Sequence, residues 1–140
     1  MDTMKKPVNT ETFHFFNANP AGYRTGDCLT RAISFANGIS WDVTIVTIAL
    51  WSVKSKRTLI GGKEIDECLQ EFGKWKKHPM PKHENGRRYR VWELAKELKK
   101  EKKPVIVSMA NHLSVIKSGK IWDTWDCGGY SVGNYWTLEE

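Results

Sequence analysis

Cys28, His112 and Asp123 are the side chains of this chain whose types could combine into nucleophilic catalysis. A thiol needs a base to take its proton, and an imidazole base needs a third group to fix its tautomer. Cys28 lies in Gly26-Asp27-Cys28-Leu29-Thr30-Arg31-Ala32-Ile33, which reads as a tight loop followed at once by a helix. Gly26 permits the sharp turn, and Asp27 is a good N-cap residue, its carboxylate expected on the orphan amides of the first turn. Cys28 then stands at the first helical position, where the helix dipole favours thiolate. The negative charge of Asp27 opposes this unless it is spent on those amides. The bland alternative is a buried structural cysteine.

Among the four histidines, His112 is the one a sheet would hold rigidly, because Leu113, Val115 and Ile116 follow it. His14, His78 and His83 lie in flanking or basic polar segments. A hairpin turn at Ser118-Gly119 would fold the strand over 120–125 back beside the strand over 112–116. That brings Asp123 to the end of its strand near His112. Asp126 is a less regular alternative, past the strand end. The competing reading is a histidine hydrogen-bonded to a carboxylate for stability alone.

The elements that must position these residues follow from hydrophobic spacing. The cysteine helix ends at Asn37-Gly38. Ser40 caps a second helix, whose apolar face is expected to be Val43, Val46, Thr47 and Leu50, widened by Ile45, Ile48 and Ala49. A third helix over 63–72 buries Ile65, Cys68, Leu69 and Phe72. A fourth over 90–100 buries Val91, Leu94, Ala95 and Leu98. Strands follow over 104–109, 112–116, 120–125 and 132–138. Helices first and an antiparallel meander afterwards make an α+β fold of two layers around one core. Residues 1–12 read as a flexible lead-in, and 13–140 as a single domain.

Composition narrows the function classes. The chain has 140 residues, seven Trp and five Phe, so large aromatic side chains fill the core or line a groove. No apolar run approaches the roughly 20 residues needed to span a bilayer. No apolar segment follows Met1-Asp2-Thr3-Met4-Lys5-Lys6, so a signal peptide is not expected. Cys28, Cys68 and Cys127 form no CxxC pair, which argues against a zinc ribbon and for a reduced, cytoplasmic protein. Neither a metal nor another cofactor is expected. The net charge is +6, and the excess is local, with twelve Lys or Arg against four Glu between Lys74 and Lys103. No nucleic-acid motif accompanies it, so a solvated helical face is favoured over a specific nucleic-acid site.

The order Cys28, His112, Asp123, with a helix-mounted cysteine and a trailing sheet, resembles the papain-like cysteine peptidase superfamily. More closely, residues 22–33 with Ser40-Trp41, Asn111-His112 and residues 121–126 resemble small phage and bacterial papain-like proteins of unassigned function. The resemblance implies a compact papain-like fold, with N-terminal helices packed on a small C-terminal antiparallel sheet. It implies Cys28 as nucleophile, His112 as base, and Asp123, followed by Thr124-Trp125, as third member. The family's glutamine, six residues before the nucleophile, is Gly22 here, which leaves the oxyanion hole incomplete or moves its side-chain donor to Asn19, Arg24 or Thr25.

Such a site suits hydrolysis of a peptide, isopeptide or related amide bond. Tyr23, Trp41, Trp122 and Trp125 are candidates to line a substrate groove, and the basic segment would favour an acidic peptide or protein. The alternatives are an inactive papain-like scaffold used for binding and a basic phage-associated binding protein.

Overall fold

The computed structural model describes residues 5–59 and 61–139. In chain order these form β1 (Phe13–Phe15), α1 (Cys28–Asn37), α2 (Trp41–Ser55), α3 (Gly62–Leu69), β2 (Trp75–His78), α4 (Val91–Glu97), β3 (Val105–Met109), β4 (His112–Lys117), β5 (Lys120–Asp123) and β6 (Tyr135–Leu138). The protein is therefore α+β. Its strands make one sheet, ordered β1-β5-β4-β3-β6-β2.

Two tight hairpins build the centre of this sheet. Ala110-Asn111 joins β3 to β4, with Met109 opposite His112 and Asn111 left-handed at φ 57°. Ser118-Gly119 joins β4 to β5, both residues at positive φ (52° and 80°), as a two-residue turn between twisted strands requires. The last strand does not continue this meander. It crosses back to pair with β3, Ile106 facing Trp136.

The sheet recruits strands from outside the C-terminal third. β1 pairs in parallel with β5, Phe13 facing Ile121 and Phe15 facing Asp123. The basic stretch contributes β2, whose Trp75 faces Leu138 of β6. The lead-in over 1–12 falls partly outside the described residues. Its later part is tied to the body, since Asn9 Oδ1 accepts from the Phe15 N–H at 2.8 Å and Thr12 O from the Ile121 N–H at 2.8 Å.

Side chains alternate across the sheet and pack on both faces. Ile106, Leu113, Val115 and Trp136 pack with Ala32 and Ile33 of α1, Ile48 and Trp51 of α2, and Cys68 and Leu69 of α3. Val105, Val107, Ile116 and Ile121 pack with Val91, Leu94 and Ala95 of α4. The sheet is thus sandwiched between helices, where a two-layer arrangement was expected. Val105, Val107 and Ile116 make one face of β3 and β4 apolar, and Ile106, Leu113 and Val115 the other, so neither face can stay in water.

The buried face of α2 also differs from the expectation. Thr44, Ile48 and Trp51 are buried, and Val43, Val46 and Leu50 are exposed. This helix is apolar around its whole circumference, so spacing alone does not select the packed side. Thr44 tolerates burial because its hydroxyl donates to Ser40 O at 2.8 Å. Ser40 caps the helix as expected, accepting from the Val43 N–H at 3.1 Å. No single described helix is long and apolar enough to cross a membrane.

Candidate active site

Cys28 is the first residue of α1, half-buried where the helix N-terminus meets the start of β4. Asp27 precedes it but does not cap the helix with its side chain. Its carboxylate pairs with Arg31 and accepts from Asn19 Nδ2 at 2.8 Å and Trp41 Nε1 at 2.9 Å. The expected use of Asp27 on backbone amides is corrected by these partners. A buried guanidinium one turn along must be compensated, and Asp27 is the carboxylate within reach. The Asp27 charge is still neutralised, and α1 keeps its first turn without a side-chain cap.

His112 and Asp123 meet across β4 and β5. Extending the register that pairs Val115 with Trp122 sets Ser114 opposite Asp123, with His112 two residues further along the same face. His112 Nε2 lies 2.6 Å from Asp123 Oδ2. Ser114 Oγ donates to the same oxygen at 2.6 Å, and the Thr124 N–H to Oδ1 at 2.6 Å. Nε2 is therefore taken by the carboxylate, and the Cys28 thiol is hydrogen-bonded to the same imidazole.

The electrostatics follow from this geometry. Burial alone would raise the Cys28 pKa. The hydrogen bonds from His112 and the Leu113 N–H, with the charges of His112 and Arg31, outweigh it and hold the thiol below its ordinary value. Burial alone would lower His112, but hydrogen bonds with Asp123, Cys127 and Cys28 push it up to about 11. Asp123 would rise on burial, yet His112, Ser114 and the Thr124 N–H hold it below the usual carboxylate range. The other two cysteines go the opposite way. Burial, helped by the Glu71 charge, pushes Cys68 up to about 11, and burial also raises Cys127. Of the three thiols, only Cys28 is biased toward thiolate.

Cys28 and His112 both line a cleft of about 500 Å3, together with Leu29, Ile65, Met109 and Asn134. The aromatic groove candidates sit elsewhere or at its margin. Trp125 packs on the His112 ring at 4.7 Å between centroids, and Tyr130 packs on its edge. Trp122 is stacked on Phe35 at 5.2 Å, and its Nε1 donates to Lys117 O. Trp41 lines a separate groove of about 550 Å3 with Phe16, Phe35 and Lys117. Tyr23 is exposed on the preceding loop.

The oxyanion candidates differ in their commitments. The Asn19 amide is engaged with Asp27. Arg24 donates to Lys5 O at 3.0 Å and lies over the Phe15 ring. Thr25 is exposed in the loop.

Arg31, Ser114 and Cys127 complete the site and were not singled out from sequence. The spacing held a signal for each. Ser114 follows His112 by two on a strand, Arg31 follows Cys28 by three on a helix, and Cys127 is the one remaining thiol near Asp123. Cys127 Sγ lies 3.9 Å from Asp123 Oδ2. The donor atoms of His112, Asp123 and Cys127 all fall within 4.8 Å of one another, a nitrogen, oxygen and sulfur set that zinc accepts by type. The 2.6 Å Nε2–Oδ2 approach is a hydrogen-bond distance, and the raised Cys127 pKa favours a protonated thiol, so the set is arranged for proton sharing.

Comparison with protein-family models, with curated proteins and with solved structures gives no match.

Proposed function

We propose that this chain is a papain-like cysteine hydrolase acting on a peptide, isopeptide or related amide bond. Cys28 is the nucleophile, His112 the general base and acid, and Asp123 the group that orients it. The supporting observation is the single imidazole held between a half-buried thiol of lowered pKa and a buried carboxylate 2.6 Å from Nε2. The cleft on the open side of that pair leaves room for an extended substrate.

The chemistry runs in two halves. The Cys28 thiolate attacks the carbonyl carbon, and the carbonyl oxygen becomes an oxyanion at the uncapped first turn of α1, where the Cys28 N–H is a donor. His112 gives its proton to the leaving amine, the C–N bond breaks, and a thioester remains. Water then attacks the thioester, giving its proton to His112. The Cys28 thiolate leaves and restores the ion pair. Asp123 keeps Nε2–H engaged throughout, so the imidazole stays oriented toward sulfur.

The test is site-resolved iodoacetamide modification followed by mass spectrometry across pH, in the wild type and in His112→Ala, with turnover of an activated peptide ester as second readout. Cys28 should react below the ordinary thiol pKa, Cys68 and Cys127 should not, and His112→Ala should remove that selectivity. Selective modification without turnover favours an inactive binding scaffold. A Cys28 that titrates as an ordinary thiol and is unmoved by His112→Ala rejects the ion pair.

A further inference from the structure

The helix next to the site carries an apolar face that nothing among the described residues covers. Val43, Val46, Leu50 and Val53 of α2 are 54%, 56%, 58% and 63% exposed. Their spacing is three, four, three, the repeat that lays side chains along one seam for another helix. They point away from Thr44, Ile48 and Trp51, which bind α2 to the body. Asp42 and Ala49 flank one side of the seam, Thr47 and Lys54 the other.

We infer that this seam docks a second copy of the chain, α2 against α2 in antiparallel sense about a two-fold axis. The seam is self-complementary. Val43 of one copy comes level with Val53 of the other, and Val46 with Leu50, so each layer pairs two apolar side chains. Charge selects the direction. Asp42 stands in the first turn of α2, with Lys54 in its last turn and Lys56 just past it. Arg57 follows, and Glu71 and Glu67 pair with Lys54 and Arg57, so this end keeps one positive charge in excess. An antiparallel pair sets the Asp42 end of each helix beside the positive end of its partner, and opposes the helix dipoles. A parallel pair would bring like ends together. The occupant is therefore another α2, and the proposal stands apart from any reading of Cys28.

From Val43 to Val53 the seam spans eleven residues, a rise of about 15 Å. It falls short of a tight interface, so the expected dissociation constant is on the order of 100 µM. Sedimentation velocity of the whole chain from about 10 µM to about 1 mM brackets that constant. The mass should rise from 16.1 kDa toward twice that value. Leu50→Glu and Val46→Glu, both at exposed positions, should keep the wild-type circular dichroism and hold the mass at monomer across the range. Direction is read by oxidising an equimolar mixture of Val43→Cys and Val53→Cys chains, each also carrying Cys28→Ser. The antiparallel pair gives the mixed 43–53 crosslink. A wild type that stays monomeric at the top concentration overturns the proposal, as does a dimer indifferent to Leu50→Glu. A predominant 43–43 crosslink overturns the antiparallel packing. Stripe-dependent binding to phosphatidylcholine–phosphatidylserine vesicles without self-association overturns it in favour of a membrane surface.

Discussion

Arg31 Nη2 lies 3.6 Å from Asp123 Oδ1, while the same guanidinium pairs with Asp27. A buried cation on the cysteine helix thus faces the carboxylate that is hydrogen-bonded to His112. Its Nη2 also reaches Thr124 Oγ1 at 3.4 Å, so α1 is tied to the end of β5 behind the site. Arg31 is 6% exposed, which makes its removal costly for both carboxylates. Arg31→Met should lower stability by about 3–5 kcal/mol in urea unfolding. The Cys28 alkylation profile should move to higher pH, because the Arg31 charge favours the thiolate. Arg31→Lys keeps the charge and loses the planar fork, so it should retain more of the Cys28 shift than Arg31→Met. Equal alkylation profiles in the two variants would mean that the charge does not reach the thiol.

Trp41 offers a milder test of the same network. Its Nε1 donates to Asp27 Oδ2 at 2.9 Å, and its ring lines the groove beside α1. Trp41→Phe keeps most of the ring and deletes the donor. A hydrogen bond to a carboxylate is worth about 1.5–3 kcal/mol, and the unfolding free energy should fall by that amount. A fall below about 0.5 kcal/mol would show that water replaces the indole N–H at no cost.

The hairpin that presents Asp123 beside β4 rests on Gly119. Its φ is +80°, and an added Cβ would come within 3.0 Å of Lys99 Cα, which is main chain and cannot swing aside. Gly119→Ala should therefore cost about 1–3 kcal/mol, measured by thermal or urea unfolding. Gly86 is a control. Its φ is +85° but nothing lies within 4 Å of its added Cβ, so Gly86→Ala should cost less.

The helices and the central hairpins were legible in sequence because local signals set them. Gly38 ends α1 in the left-handed conformation, Ser40 starts α2, and Ser118-Gly119 turns β4 into β5. The approach of His112 to Asp123 was legible for the same reason, since a two-residue turn fixes register. What depends on long-range partners was not legible. No local pattern tells Phe13 to pair with Ile121, or β6 to cross to β3. The covered face of α2 was misread because both of its faces are apolar. The role of Asp27 was misread because a capping residue is recognised by its type, while Arg31 and Trp41 claim it through folding.

The paired titrations of Cys28 and His112 give stability a characteristic pH dependence. His112 is raised from 6.5 to about 11, so its protonation stabilises the fold fully below pH 6.5. That contribution is lost as pH rises toward 11. Cys28 is lowered from 9.0, so its contribution is present above pH 9.0 and is lost as pH falls through its folded value. Where the folded protein holds imidazolium and thiolate and the unfolded chain holds neutral imidazole and thiol, the bound protons are equal in number. The two slopes then cancel, and the pair adds no pH dependence as pH approaches 9.0 from below. Cys28→Ser removes the thiol and leaves His112 hydrogen-bonded to Asp123, so the histidine slope stands alone. Urea midpoints taken between about pH 6.5 and pH 9 should fall steadily with pH in Cys28→Ser and change less in the wild type. Superimposable profiles would show that Cys28 and His112 do not share a proton, and would remove the ion pair on which the proposed nucleophilic chemistry depends.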